Sequence, residues 1–236
     1  MKGETLINTQ FSVFLEGLIE KPEDIWQDMN ASFGGIFVSP PLIIQVPQDP
    51  NLYEVPIVQL RSKNGIFVLN IARKRADFFI KGQGRDARFE TVEEDLLNKS
   101  LLLFDKLDSF LSIQWIGFVS RFFIEEGEPK KIITNVLNPE FQKIYKGSAF
   151  ETFTRYVSRM ELLGYVVNNF TEIQQIRAKV VGYNDDVLGI LITRDFNTRP
   201  EDNKEKKITG SFVKDFILES EKNFELEKIK EILWKQ

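Results

Sequence analysis

Residues 91–124 read TVEEDLLNKSLLLFDKLDSFLSIQWIGFVSRFFI, and the way this stretch divides decides the fold. Its first part has helical periodicity. Leu96, Leu97, Leu103, Phe104, Leu107, Phe110 and Leu111 gather on one broad face at about 100° per residue. Leu101 and Leu102 fall off that face, so the helix is expected to be covered on more than one side. Thr91 and Glu94 stand at capping-box spacing, and Glu93, Glu94 and Asp95 suit the positive end of the helix dipole. The second part, residues 114–124, is a strand apolar on both faces. Ile116, Phe118, Phe122 and Ile124 line one face, and Trp115, Val119 and Phe123 line the other, where Arg121 is the odd residue. Such a strand belongs in the middle of a sheet, with cover on both sides.

Upstream of this hub, residues 5–16 alternate through Phe11, Val13 and Leu15 and read as a strand. Pro22, with Glu23 and Asp24 beside it, opens a short helix that Gly34 and Gly35 end. Residues 36–46 are β-rich but carry Pro40 and Pro41, which makes them an edge strand or a bulged one. Residues 55–61 and 66–72 form a hairpin across Asn64-Gly65, whose residues tolerate positive φ. Residues 77–81 make a third strand, and Gly82-Gln-Gly84 is a turn.

Downstream, a short helix is expected over residues 130–137. Residues 150–163 fit helix or strand and are read as strand, because the segments after them are β. Strands at 173–181 and 187–196 flank a turn at 182–186, and residues 198–207 form a polar loop. A long helix begins at Thr209 or Ser211. Phe212, Val213, Phe216, Ile217 and Phe224 share one of its faces, while Leu226, Ile229 and Leu233 point nearly opposite. Either it bends near residues 223–225, or its last turns meet another subunit. The expected architecture is one α+β domain over residues 1–236, an antiparallel sheet with helices packed on one side. The halves 1–112 and 113–236 follow one order of strand, helix, strands and helix.

Composition narrows the chemistry. There is neither cysteine nor histidine in the 236 residues, which removes thiol and imidazole catalysis and the usual zinc ligands. A metal site would have to be all oxygen; no metal and no cofactor are expected. The net charge of −4 gives no bulk attraction to nucleic acid or an anionic membrane. No apolar run is long enough to span a bilayer and the N-terminus lacks the pattern of a signal peptide, so the expected location is cytoplasmic.

Three places invite a functional reading. Residues 55–90 hold Arg61, Lys63, Arg73, Lys74, Arg75, Lys81, Arg85 and Arg88 against three acids, with Phe78 and Phe79 between them. This is either a phosphate or nucleic-acid patch or the solvated face of a hairpin. Arg121 and the pair Arg194-Asp195 place charge in apolar strands, as a pocket or as a structural ion pair of Arg121 with Asp195 or Glu161. Leu226, Ile229 and Leu233 are candidates for an interaction helix. Asp105 with Asp108, and Asp185 with Asp186, lack partners that would favour a metal over solvent.

Gly117-Phe-Val-Ser-Arg-Phe-Phe-Ile124, Leu188-Gly-Ile-Leu-Ile-Thr-Arg-Asp-Phe196 and Phe224-Glu225 together resemble, in order and spacing, a sporadically distributed family of uncharacterised prokaryotic proteins of about this length. The resemblance implies a fold more than a function. This chain has no histidine in its final helix, where that family carries one.

The leading expectation is a non-enzymatic binding or protein-interaction module that self-associates, as a homo-oligomer or with a protein partner, through the C-terminal helix. A nucleic-acid-associated protein using residues 55–90 is the second reading. A Mg²⁺-dependent, carboxylate-based phosphoesterase is the third.

Overall fold

The structure is a computed structural model in which residues 3–134, 153–179, 186–203 and 205–234 are described. Among these, nine strands form one antiparallel sheet: β1 (Thr5–Leu15), β2 (Leu42–Ile43), β3 (Val58–Arg61), β4 (Phe67–Ile71), β5 (Arg75–Lys81), β6 (Ile113–Glu125), β7 (Phe153–Leu162), β8 (Tyr165–Ala178) and β9 (Val187–Thr198). Their spatial order is β2-β3-β4-β5-β1-β6-β9-β8-β7. The α-helices are α1 (Pro22–Ser32), α2 (Glu93–Asp108), α3 (Pro129–Thr134), α4 (Gly210–Lys222) and α5 (Leu226–Leu233). The expected α+β class is therefore found. No described helix is long and apolar enough to cross a membrane.

The hub sits where its two-sided apolar pattern requires. β6 lies between β1 and β9, with Phe118 opposite Phe11 on one side and Phe196 on the other. Phe118 and Phe123, on opposite faces of β6, are 0% and 1% exposed. The face bearing Phe11, Phe78, Phe118 and Phe196 belongs to the main core with Met29 and Phe33 around α1, Leu96, Leu103, Phe104 and Leu107 from α2, and Val213, Phe216 and Ile217 from α4. Withdrawing one such phenylalanine from water contributes about 1.5–3 kcal/mol, and eight are essentially fully enclosed. Phe224, just after α4, meets Phe89, Phe118, Phe122 and Phe196 in one aromatic cluster.

Local chemistry explains most element ends. Pro22 occupies the first turn of α1, and Gly34 and Gly35, both at φ +72°, end it. Thr209 caps α4 by accepting from the Phe212 N–H at 3.3 Å. The expected capping box at Thr91 does not form. Residues Phe89–Thr91 make a 3₁₀ turn, the Thr91 hydroxyl donates back to the Arg88 carbonyl at 2.7 Å, and α2 starts after Val92 without a side-chain cap. Phe110 lies beyond the end of α2 and is exposed, whereas Leu101 and Leu102 pack against the core, so α2 is covered more broadly than one stripe. In the β3–β4 hairpin only Gly65 has positive φ, and Asn64 instead accepts from the Ser62 hydroxyl at 2.7 Å.

Two glycines mark close approaches. A Cβ on Gly82 would lie 1.8 Å from the Leu6 carbonyl oxygen, beside the bulge of β1. A Cβ on Gly189 would lie 2.4 Å from both the Phe123 ring and the Ile124 carbonyl, so β9 needs glycine to lie against β6.

Residues 153–162 are a strand, as read, and the strand expected from residue 173 begins earlier, running continuously over residues 165–178. The short helix after β6 is seen over Pro129–Thr134. Its expected extension to residue 137 and the turn at 182–185 fall outside the described residues. The sheet order places β1 and β6 side by side, with the strands of each half running outward from them. This likeness is one of topology only.

The C-terminal stripe is resolved in favour of the bend. Glu225, at φ 48°, is left-handed and separates α4 from α5. Leu226 and Ile229 are then turned onto a second cluster built from Ile124, Ile133, Ile173, Ile190, Ile192 and Leu233, in which Leu233 is fully buried. Of the residues named as an interaction helix, Leu233 is thus buried and Leu226 and Ile229 are partly buried within their own chain. Lys230 reinforces the closure, donating to Glu4 at 2.8 Å and to Glu227 at 2.6 Å. Burial alone would raise the Glu4 carboxyl, but the Lys230 hydrogen bond and the charges of Lys230 and Arg88 outweigh it and hold it below its ordinary value.

Candidate binding face

Strand alternation assigns every second residue of the central strands to the side away from the aromatic core. Cross-strand register then groups them: Arg75 opposite Phe14 opposite Trp115, Asp77 opposite Ser12 opposite Gly117, and Asn8 opposite Arg121 opposite Thr193. No described helix packs on these positions within the main core. The surface they make is polar with aromatic islands.

The first island is a ladder across three strands. Phe14 and Trp115 stack with ring centroids 3.3 Å apart and 10° between planes, and the Arg75 guanidinium lies 4.5 Å from the Phe14 centroid. Arg75 also donates to Asp77 at 2.7 Å. Asp77 Oδ1 accepts further from Ser12 at 2.6 Å and Gln10 at 3.1 Å, so three donors converge on one oxygen of this buried carboxylate. Gln10 passes the network on, because its Oε1 accepts from Arg121 at 3.3 Å, while Asn8 Oδ1 accepts from the same nitrogen at 3.0 Å. A polar relay therefore runs from β5 through β1 to β6.

Arg121 is held by these amides. Among the described residues no carboxylate lies within ion-pair distance of it, so neither the expected bridge to Asp195 nor that to Glu161 is found. Burial lowers the Arg121 pKa from its ordinary value, and the fields of Asp195 and Glu172 act in opposition. Burial likewise raises the Asp195 carboxyl, against a 3.1 Å hydrogen bond from Asn197 and the positive field of Arg121. For both groups desolvation outweighs their mutual attraction.

The second island lies toward β7. Trp115, Val157, Arg159, Asn168, Phe170 and Asn197 line, with residues 199–201, an open concavity of about 490 Å³. Asn168 donates to Asn197 at 3.0 Å, and Arg155 lies 4.8 Å over the Phe170 ring.

The sequence-derived candidates sort cleanly. Arg75, Arg121 and Asp195 come together on this face. Arg194 does not, because alternation turns it to the other side, where it is 5% exposed. There it donates to the Asn223 carbonyl at 2.8 Å and to the Thr171 hydroxyl, placing a cation at the C-terminal end of α4. Burial lowers its pKa to about 10, the Glu225 charge opposing. The run Arg73-Lys74-Arg75 is split: Arg73 donates to the Glu20 carbonyl at 2.7 Å, and Lys74 lies half-buried in the β4–β5 turn. Arg88 pairs with Glu4 at 3.6 Å, so the basic residues of 55–90 are divided among several surroundings. Asp108 pairs with Lys207 at 3.9 Å, and among the described residues no group of three acids is close enough to hold a metal ion.

Asn8, Gln10, Ser12, Phe14 and Asn197 were not singled out from the sequence. Their signal was present, since Asn8, Gln10 and Ser12 alternate with Thr9, Phe11 and Val13. No family model matches the chain, and no curated protein matches it.

Proposed function

We propose that this chain is a non-enzymatic cytoplasmic binding module that self-associates, and that its ligand surface is the polar sheet face around Arg121. One observation carries the reading: a guanidinium at mid-sheet is oriented by two amides and left without a carboxylate partner among the described residues, beside an arginine–phenylalanine–tryptophan ladder. A charge so held has its position fixed and no direct ion pair among the described residues, which suits an anionic ligand bearing a planar group. The catalytic reading draws less support, because three donors already converge on one oxygen of Asp77, the carboxylate at the centre of the relay. Self-association need not use Leu226, Ile229 and Leu233, of which the last is buried and the others partly buried within the chain.

The nucleic-acid reading gains one specific observation, and it moves from residues 55–90 to the open face. The concavity beside Trp115 and Phe170 offers aromatic planes, amide side chains and Arg159, the elements on which unstacked bases are held. Titration with a short oligothymidylate, read by tryptophan fluorescence, tests both readings. Quenching that weakens with salt and is lost in Trp115→Phe supports a single-stranded nucleic acid. Quenching by an acidic peptide but not by the oligonucleotide supports the broader reading. In either case Arg121→Gln is expected to weaken binding at least about tenfold, and an unchanged affinity would remove this face from consideration.

A further inference from the structure

The two edges of the sheet are finished differently. β2, at one edge, is two residues long and stands between Pro40-Pro41 and Pro47, none of which can donate to a ladder. β7, at the other, is ten residues long, contains neither proline nor glycine, and pairs with β8 at every position without a register shift. No described strand lies along its outer side. Phe153 and Val157 are 54% and 56% exposed. An edge of this length and regularity is a template for another strand.

We infer that β7 pairs with β7 of a second copy, antiparallel, about a twofold axis at Ser158, so that the two sheets run on as one. This rests on the self-association proposed above and names its surface. A twofold axis perpendicular to the sheet keeps each face on its own side, so opposed residues share parity and the axis must pass through a residue. With the axis at Ser158, Arg155 of each copy faces Glu161 of the other. Thr154 faces Leu162, Tyr156 faces Met160, and Phe153 falls beside Leu163, which is 47% exposed. Moving the axis to Val157 sets Arg155 against Arg159, and moving it to Arg159 sets the two Arg159 side chains against each other. Like charges directly opposed destabilise a strand pair, whereas opposite charges support it. Of these three registers only the one centred on Ser158 gives charge complementarity, and it does so twice. It also puts the two polar faces side by side on one surface of the joined sheet.

Arg155 and Glu161 are both exposed, so exchanging them leaves the core untouched. Analytical ultracentrifugation over a wide concentration range, with circular dichroism confirming the fold, tests the pairing. Arg155→Glu alone and Glu161→Arg alone are each expected to weaken self-association about tenfold, since each turns two attractive pairs into repulsive ones. An equimolar mixture of the two variants is expected to form a mixed pair as tight as the wild type, because every carboxylate again faces a guanidinium. If the wild type pairs but the variants do so equally well, or the mixture shows no recovery, the β7 interface is wrong and self-association stands. If the wild type is monomeric at every concentration, self-association itself falls, while the oligothymidylate titration still judges the polar face.

Discussion

Arg121 and Arg194 are neighbours across the β6–β9 pair, yet they face opposite sides of one sheet and live in different chemistry. On the aromatic side, Arg194 is sealed in, with its two terminal nitrogens donating to the Thr171 hydroxyl and the Asn223 carbonyl. On the polar side, Arg121 rests on two amides and has no carboxylate within ion-pair distance among the described residues. The same residue type is a structural tie in one place and, in the function proposed above, a recognition element in the other. What separates them is strand parity: Ile190, Ile192 and Phe196 share a side with Arg194, while Thr193 and Asp195 share a side with Arg121.

The contrast between faces breaks most visibly at Phe118 and Trp115, which lie on opposite sides of β6. Phe118→Ala opens a cavity in the enclosed aromatic cluster and is expected to lower the unfolding free energy by about 3–5 kcal/mol in urea titration. Trp115→Ala, on the open side, should cost clearly less; equal losses would mean that both faces are core. The arginines sharpen the comparison at a smaller scale. Arg194→Ala strands a helix-terminal carbonyl and should cost roughly 2 kcal/mol. Arg121→Ala should change stability by no more than about 0.5 kcal/mol while removing ligand binding. Loss of stability in both alike would mark Arg121 as a second tie.

The smallest effect is at Asp195. Burial raises its carboxyl pKa in the folded chain above the unfolded value. The folded state then binds the proton more readily, so this contribution to stability is full below the unfolded pKa and lost as pH rises through the folded one. Asp195→Asn should therefore be slightly more stable than wild type at neutral pH, by on the order of 0.5 kcal/mol, and the difference should vanish in acid. A destabilised Asp195→Asn at neutral pH would show that the Arg121 field, rather than burial, dominates the pair.

The central strand was legible because seven large apolar residues on alternating sides of residues 115–124 leave no other placement. The ambiguous residues 153–162 were legible only from their β neighbours, since Phe153, Val157 and Met160 also suit a helix. Arg194 misled because its partners are a carbonyl 29 residues on and a hydroxyl 23 residues back, and backbone acceptors leave no trace in side-chain identity. Thr91 misled for a local reason: its hydroxyl found the Arg88 carbonyl before it could serve the helix. The relay from Arg75 to Arg121 depends on three strands being adjacent in the order β5-β1-β6, and no local pattern in the chain gives strand order.

The Glu4–Lys230 ion pair joins positions 226 residues apart in sequence. Closing a loop of that length before other structure exists is entropically unfavourable, so this contact belongs to the last stage of folding. A ribosome must add 226 residues after Glu4 before Lys230 can reach the carboxylate that precedes the first strand. Until then the isoleucine cluster packed against α5 lacks its lid, and the nascent chain is open to proteolysis there.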